Sequence, residues 1–291
     1  MMEWIRSRLE HIDDLPTLPL IVERFSRAVR GSNWEVSEVA GIIRRDPAIS
    51  TNILRACNSS LYRTRISDPI DSIDTALVHL GISVVRHIVI STSIIRSFKS
   101  IYHEAFDLRE FWIHSLCTGM VANIIPGHLP EEERQLIDPG KLNLAALIHD
   151  LGKIILLKYF PDEFGNAIHH AREHEQPLHK AELESMGANH AEIGGWLANQ
   201  WVRDTELHSA VRWHHSPMEA DPKATRIASI VHIADYICNR EKLGESGNSV
   251  LPVFHTEALE QIKITPTALE DIILSIREQD LRSIVSLYFG N

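Results

Sequence analysis

The stretch Ser83-Val84-Val85-Arg86-His87-Ile88-Val89-Ile90-Ser91-Thr92-Ser93-Ile94-Ile95-Arg96-Ser97 decides the fold. Its Val and Ile content suits a pleated strand. Its surroundings do not. Ala76, Leu77 and Leu80 form the apolar face of a short helix that Gly81 ends, and helical patterning resumes on the other side. Strand-like alternation is scarce in the rest of the chain, so a strand here would have nothing to pair with. Residues 83–97 are therefore read as a buried helix, and the chain as all-α.

Working outward, Ile21, Val22, Phe25, Ala28 and Val29 form one helical stripe, and Val36, Val39, Ala40, Ile42 and Ile43 another. Asp46-Pro47 starts the next helix, with Asp46 as N-cap and proline at the first helical position. Its apolar face is Ile49, Ile53, Leu54 and Cys57. The short, mixed segment 99–107 is the expected lobe boundary. It gives an N-terminal helical lobe over 1–105 and a second helical lobe over 106–291, packed together. Helices are expected near 108–125, 142–158, 161–175, 190–201, 205–214 and 223–240, with two or three more to the end. Residues 241–252, with Gly244, Gly247 and Pro252, read as a mobile surface loop. No internal repeat is visible.

The formal charge of −10 is unevenly placed. Residues 1–105 hold 13 basic and 12 acidic side chains; residues 106–291 hold 16 and 27. An acidic second lobe is a poor partner for a phosphate backbone, which argues against general nucleic-acid binding. It suits bound cations, although a solvated acidic surface accounts for most of these charges. Cys57, Cys117 and Cys238 are widely spaced and odd in number, which argues for free thiols in a reducing compartment. Met1–Glu10 is too charged for a signal peptide. No apolar run is read as reaching the roughly 18–20 residues of a bilayer span. The expectation is a cytoplasmic protein with no membrane association.

Seventeen histidines make chance neighbours certain, so a metal site must rest on spacing and partners. His149-Asp150-Leu151-Gly152-Lys153 follows the apolar run Leu144–Ile148. On one continuous helix His149 and Asp150 would point about 100° apart and could grip one ion or bridge two. Lys153, four and three residues on, would line the same pocket. Glu110 and His114 are spaced i, i+4 on an otherwise apolar helix. His190 opens a helix, His214 and His215 close one, and Asp235 lies inside the apolar run Ile227–Ile237. A carboxylate there is costly to bury without a cation. Imidazole and carboxylate without thiolate favour Fe, Mn, Zn, Co or Ni. Seven or eight ligands exceed the need of one ion and point to two, which can act on a phosphoryl group that Lys153 steadies.

Leu15-Pro16-Thr17-Leu18-Pro19, Asp46-Pro47-Ala48-Ile49, Asn58-Ser59-Ser60 and Ala76…Leu80-Gly81 resemble the motifs of the HDOD family, the HD-related output domain of bacterial signalling proteins. The resemblance covers roughly residues 12–240. It implies an N-terminal helical bundle packed on an HD-type helical bundle, and a place in signal transduction with a signalling protein partner. The second lobe is similar to the HD superfamily of metal-dependent phosphohydrolases, above all to the HD-GYP phosphodiesterases. That similarity implies metal ligands at Glu110, His114, His149, Asp150, His190, His214, His215 and Asp235. It makes Lys153 and Asp150 the catalytic pair, the cofactor two divalent ions (Fe, Mn or Zn), and the substrate a phosphate-containing small molecule or nucleotide. Ser216-Pro217-Met218 stands where HD-GYP enzymes continue with glutamate and Gly-Tyr-Pro, so cyclic-dinucleotide specificity is not implied.

Three readings remain open from sequence: a di-metal phosphohydrolase or phosphodiesterase, a catalytically silent regulatory module, and a structural metal cluster. The i, i+4 histidines His170 and His174, with His169, sit on a polar helix and match no family ligand position. His79, His87 and His232 are expected as core histidines. His103, His128, His179, His208 and His255 are expected at the surface.

Overall fold

The computed structural model describes residues 5, 7–8, 16–30, 33–59, 69–98, 101, 103–279, 281 and 285. Leu15, Ser60 and most of Met1–Glu10 lie outside them. The fold is all-α: among the described residues the one β feature is an isolated bridge between His103 and Phe106. The chain divides into two compact units, Leu18–Lys99 with Ser275–Asn291, and Met1–Thr17 with Ser100–Leu274.

In the smaller unit α1 (Leu20–Ala28), α2 (Val36–Ile43) and α3 (Pro47–Cys57) all pack on α4 (Ile73–Ser97). The core gathers Phe25, Ile43, Ile49, Ile53, Leu77 and Ile88, each almost fully buried. Asp46 caps α3 by accepting from the Ala48 and Ile49 amides at 3.0 and 3.1 Å. Gly81 interrupts α4 with φ 76° and ψ 161°, a conformation open to glycine but not to ordinary residues. Beyond it, residues from His87 to Ile95 are buried on every face, which hides a helical period. Ser91 and Ser93 donate to the His87 and Val89 carbonyls, both at 2.6 Å, so their hydroxyls enter the core without broken hydrogen bonds. The expectation that no run reaches bilayer length is corrected here. Ile73–Ser97 is long and apolar enough by length and composition, but 61% of the window is buried within the protein.

The larger unit is built on α5 (Leu108–Ile124), which packs on α6 (Pro139–Ile148) and α12 (Thr225–Arg240). Between them run α7 (Leu151–Tyr159), α8 (Pro161–Glu173), α9 (Leu178–Met186), α10 (His190–Trp201) and α11 (Thr205–Arg212). After α12 come α13 (Glu257–Gln261) and α14 (Pro266–Glu278), the latter running past Leu274 into the segment that belongs to the smaller unit. α7 packs on α10, and α10 on α11. Local signals fix the helix starts: Asp107, Asp138 and Asp204 cap α5, α6 and α11, and Asn189 with Glu192 forms a capping box on α10.

Two differences from the sequence expectation matter. The helix read over 142–158 is two helices, because Asp150 leaves helical geometry at φ −97° and ψ 2°. α9 was not foreseen as a helix; Pro177 and the left-handed Gly187 bracket it, and Leu178, Ala181, Glu182 and Met186 bury its inner face.

His87 is 4% exposed, and burial lowers its pKa to about 4. The folded chain therefore binds this proton less readily than the unfolded one, so the stability concerned is full above about pH 6.5 and falls as pH drops towards 4. In urea titrations His87→Met should lose less stability than the parent over that window, by on the order of 3 kcal/mol. Parallel pH profiles would refute the assignment.

Candidate metal centre

Helix interiors and helix ends of the larger unit bring seven candidate ligands together. His114 comes from the middle of α5, His149 and Asp150 from the α6–α7 junction, and His190 from the first position of α10. His214 and His215 follow α11, and Asp235 projects from α12. They form two groups that could each hold a metal ion: His114, His149 and Asp235, and Asp150, His190, His214 and His215. His114, His149, His190 and His214 are fully buried, Asp150 and Asp235 are 1% and 3% exposed, and His215 is half-buried.

Asp150 joins the groups. Its Oδ2 lies 3.5 Å from His149 Nε2 and 3.9 Å from His114 Nε2, while its Oδ1 lies 3.0 Å from His190 Nε2 and 3.7 Å from His214 Nε2. Asp235 Oδ1 is 2.9 Å from His114 Nε2 and 3.6 Å from His149 Nε2. Ligands about 2.1 Å from one ion sit roughly 3.0 to 3.4 Å apart, so these separations are close to the edges of coordination polyhedra. The tautomers agree. His149 and His214 donate from Nδ1 to the Ala146 and Val211 carbonyls at 2.8 and 2.7 Å, and His190 Nδ1 faces Glu182 Oε2 at 2.6 Å. Each Nε2 is thereby left as a lone pair aimed inward. The Nε2 atoms of His149 and His214 and Asp150 Oδ1 are buried without a hydrogen-bond partner, as atoms reserved for a cation would be. The donor set fits.

The electrostatics show how much positive charge the centre demands. Burial opposes ionisation of Asp150, but Lys153 and the imidazoles outweigh it and hold the carboxyl well below its usual range. Asp235 is likewise held down against burial, chiefly by its hydrogen bond to His114 and by the nearby His149 imidazole. Burial would lower the pKa of both His149 and His190. Asp150 and Asp235 reverse that for His149, and Glu182 does so with Asp150 for His190, so both are raised. Burial, reinforced by neighbouring imidazoles, pushes His214 and His215 well down.

A family model described as the HDOD domain matches residues 15–217. The chain belongs to the HDOD family. An HDOD domain protein of unknown function from Geobacter sulfurreducens has a similar solved structure, with 23% identity and TM-score 0.82 over 98% of this chain and 97% of that one. So does a protein from Shewanella amazonensis SB2B described as a candidate phosphohydrolase, with 21% identity and TM-score 0.70 over 96% of each chain. An uncharacterized protein of Treponema pallidum is 22% identical over 91% of this chain, which spans half the length of that relative. At these identities the solved structures establish the shared fold alone.

Two expected residues of this HDOD chain stand apart from the ligand groups. Glu110, in the first turn of α5, is half-buried and belongs to neither group. Lys153 is fully buried, with Nζ 2.6 Å from Asp150 Oδ2 and 2.9 Å from the Ser246 carbonyl. That second contact corrects the reading of 241–252 as a mobile surface loop. Ser246 is 2% exposed, the Glu245 amide donates to the Glu110 carbonyl at 3.1 Å, and Asn248 accepts from the Leu178 amide. Gly244, at φ 78°, lies so close to α5 that a Cβ would strike the His114 amide. The loop is clamped over the centre.

Sequence reading missed Glu182 and misplaced His179. Glu182 is fully buried on α9, and its Oε2 accepts from both the His190 amide (2.7 Å) and the His190 ring. Its signal was a carboxylate on the apolar face of a helix that was itself overlooked. His179, expected at the surface, is half-buried with its ring stacked on His215 at 4.1 Å, and burial lowers its pKa to about 3. His232 is a satisfied core histidine: Nδ1 donates to the His214 carbonyl at 2.8 Å and Nε2 accepts from the His255 amide.

Glu182→Gln should weaken metal binding by about 10- to 100-fold in competition with a chromophoric chelator, while the helical circular dichroism stays unchanged. Unchanged affinity would refute the orienting role. Gly244→Ala should free the strap: amide exchange at 243–248 rises by about an order of magnitude, with α1–α4 unaffected. Parent-like protection of the strap would refute the clamp.

Proposed function

We propose that this chain is an HDOD-type bacterial signalling protein, cytoplasmic, that retains an HD-type di-metal centre. It acts as a metal-dependent phosphohydrolase or phosphodiesterase on a phosphate ester or nucleotide. The observation that carries this reading is Asp150, whose two oxygens each face a separate set of inward lone pairs. One ion would be held by His114, His149, Asp150 and Asp235, the other by Asp150, His190, His214 and His215, with Glu110 as a further ligand on the rim. Two divalent ions side by side (Fe, Mn or Zn) supply Lewis acidity and an activated water. The protein's own part is to hold the imidazoles in one tautomer, keep Asp150 ionised and keep solvent out. Lys153 is the phosphate-side cation, able to trade the Ser246 carbonyl for a phosphate oxygen.

A second reading is favoured by the same strap. With Lys153 tied to Asp150 and Ser246, and most ligands sealed, the centre also suits a catalytically silent regulatory module whose metal sets the conformation shown to a signalling partner. Three buried free cysteines accord with a reducing compartment.

Protein purified without chelator should carry about two divalent ions per chain by elemental analysis, and the isosteric Asp150→Asn should retain fewer than one. A parent chain that stays metal-free after incubation with Fe, Mn and Zn would overturn both readings. A loaded chain inert towards phosphodiesters, monoesters and nucleotides would exclude the enzyme and leave the regulatory module.

A further inference from the structure

The smaller unit contains a cavity of about 370 Å³ between the first half of α3 and the end of α4. That volume is within the range of small-molecule pockets. Its wall includes Pro47 and Ala48, from the stretch in which Asp46 and Pro47 start α3.

Two unspent polar groups, Arg55 and the Thr92 hydroxyl, face this space. Arg55 is exposed and has no hydrogen bond or ion pair among the described residues. Thr92 is 5% exposed and accepts from Asn52 Nδ2 at 3.0 Å. Its own hydroxyl proton has no acceptor among the described residues, whereas Ser91 and Ser93 on either side spend theirs on backbone carbonyls. A buried donor left over in this way asks for a partner from outside. Asn52 is half-buried and lines the same cavity.

Charge selects the partner's sign. Arg96 also lines the cavity, but its Nη1 holds both Asp46 oxygens, at 3.0 and 2.9 Å, so that pair cancels and Arg55 remains. Residues 18–99 hold 11 basic and 7 acidic side chains in a chain whose net charge is −10. The α3 N-terminus is already satisfied by Asp46, so the anion belongs against Arg55 and Thr92. Pro47, Ala48 and Ile95 offer an apolar wall to the rest of the ligand.

We propose that this cavity binds a small phosphate-bearing molecule, its oxyanion held by Arg55 and the Thr92 hydroxyl. It is a ligand site in the smaller unit that does not depend on the metal centre.

The test is titration of the full chain, metal-loaded and metal-depleted in parallel, with inorganic phosphate and with adenosine 5′-monophosphate, followed by NMR. The expected result is saturable shifts at Thr92 and Arg55, equal in both metal states. Affinity should fall about 10-fold or more in Arg55→Gln and in Thr92→Val, as loss of a charge-assisted or buried hydrogen bond implies. Arg55 is exposed and Thr92→Val keeps its shape, so both variants should fold. Shifts confined to the metal centre and lost on depletion would overturn the proposal. So would binding unchanged in both variants, or the absence of saturable shifts with either probe up to about 10 mM, where binding is too weak to be a site. Failure of the metal readings would leave these outcomes untouched.

Discussion

A single buried carboxylate sets the terms for the larger unit. Asp150 is 1% exposed and ionised, a state that costs several kcal/mol unless positive charge surrounds it. The charge comes from Lys153 three residues on, from His149 beside it and, from a distant part of the chain, His190 on α10. Each partner is in turn fixed by something behind it, such as Glu182 for His190 or a backbone carbonyl for His149 and His214. Without metal, protonation of His149 and His190 neutralises part of the site, which is why both pKa values rise against burial. A divalent ion would do the same task with imidazoles left neutral, so proton and metal would compete for the same lone pairs.

The break at His149-Asp150 is part of this design. On a continuous helix the two side chains would point about 100° apart. Asp150 instead leaves helical geometry, and its two oxygens lie between the two imidazole groups. Gly152 follows because α10 comes so close that a Cβ would strike the His190 carbonyl. The spacing of His, Asp, Gly and Lys is thus a consequence of packing a helix junction against the start of another helix.

How much of this was legible in the sequence depended on whether the signal was local. The all-α class, the Asp46-Pro47 cap and the Gly81 break each rest on a few adjacent residues, and all three are present in the fold. His114, the 149–150 pair, His190, the 214–215 pair and Asp235 could be picked out because ionisable groups in apolar or helix-end settings are conspicuous. Glu182 was not, because Leu178–Met186 mixes charge and apolarity and its inner face is evident only once its neighbours are in place. His179 and the 241–252 strap failed for the same reason: a polar, glycine-bearing segment looks solvent-exposed until its backbone is seen to replace water at Lys153 and against α5.

That strap determines which chemistry the centre can reach. The ligands nearest Lys153 are sealed beneath it, whereas His215 and the ring of His179 stacked on it are only half-buried. In the proposed enzyme, Lys153 could reach a substrate oxygen only by giving up the Ser246 carbonyl, which would require the strap to move. A regulatory centre needs no such exchange, because the strap's position would itself be the output. Enzyme and switch therefore share one set of ligands and differ in what Lys153 holds when the protein is at work.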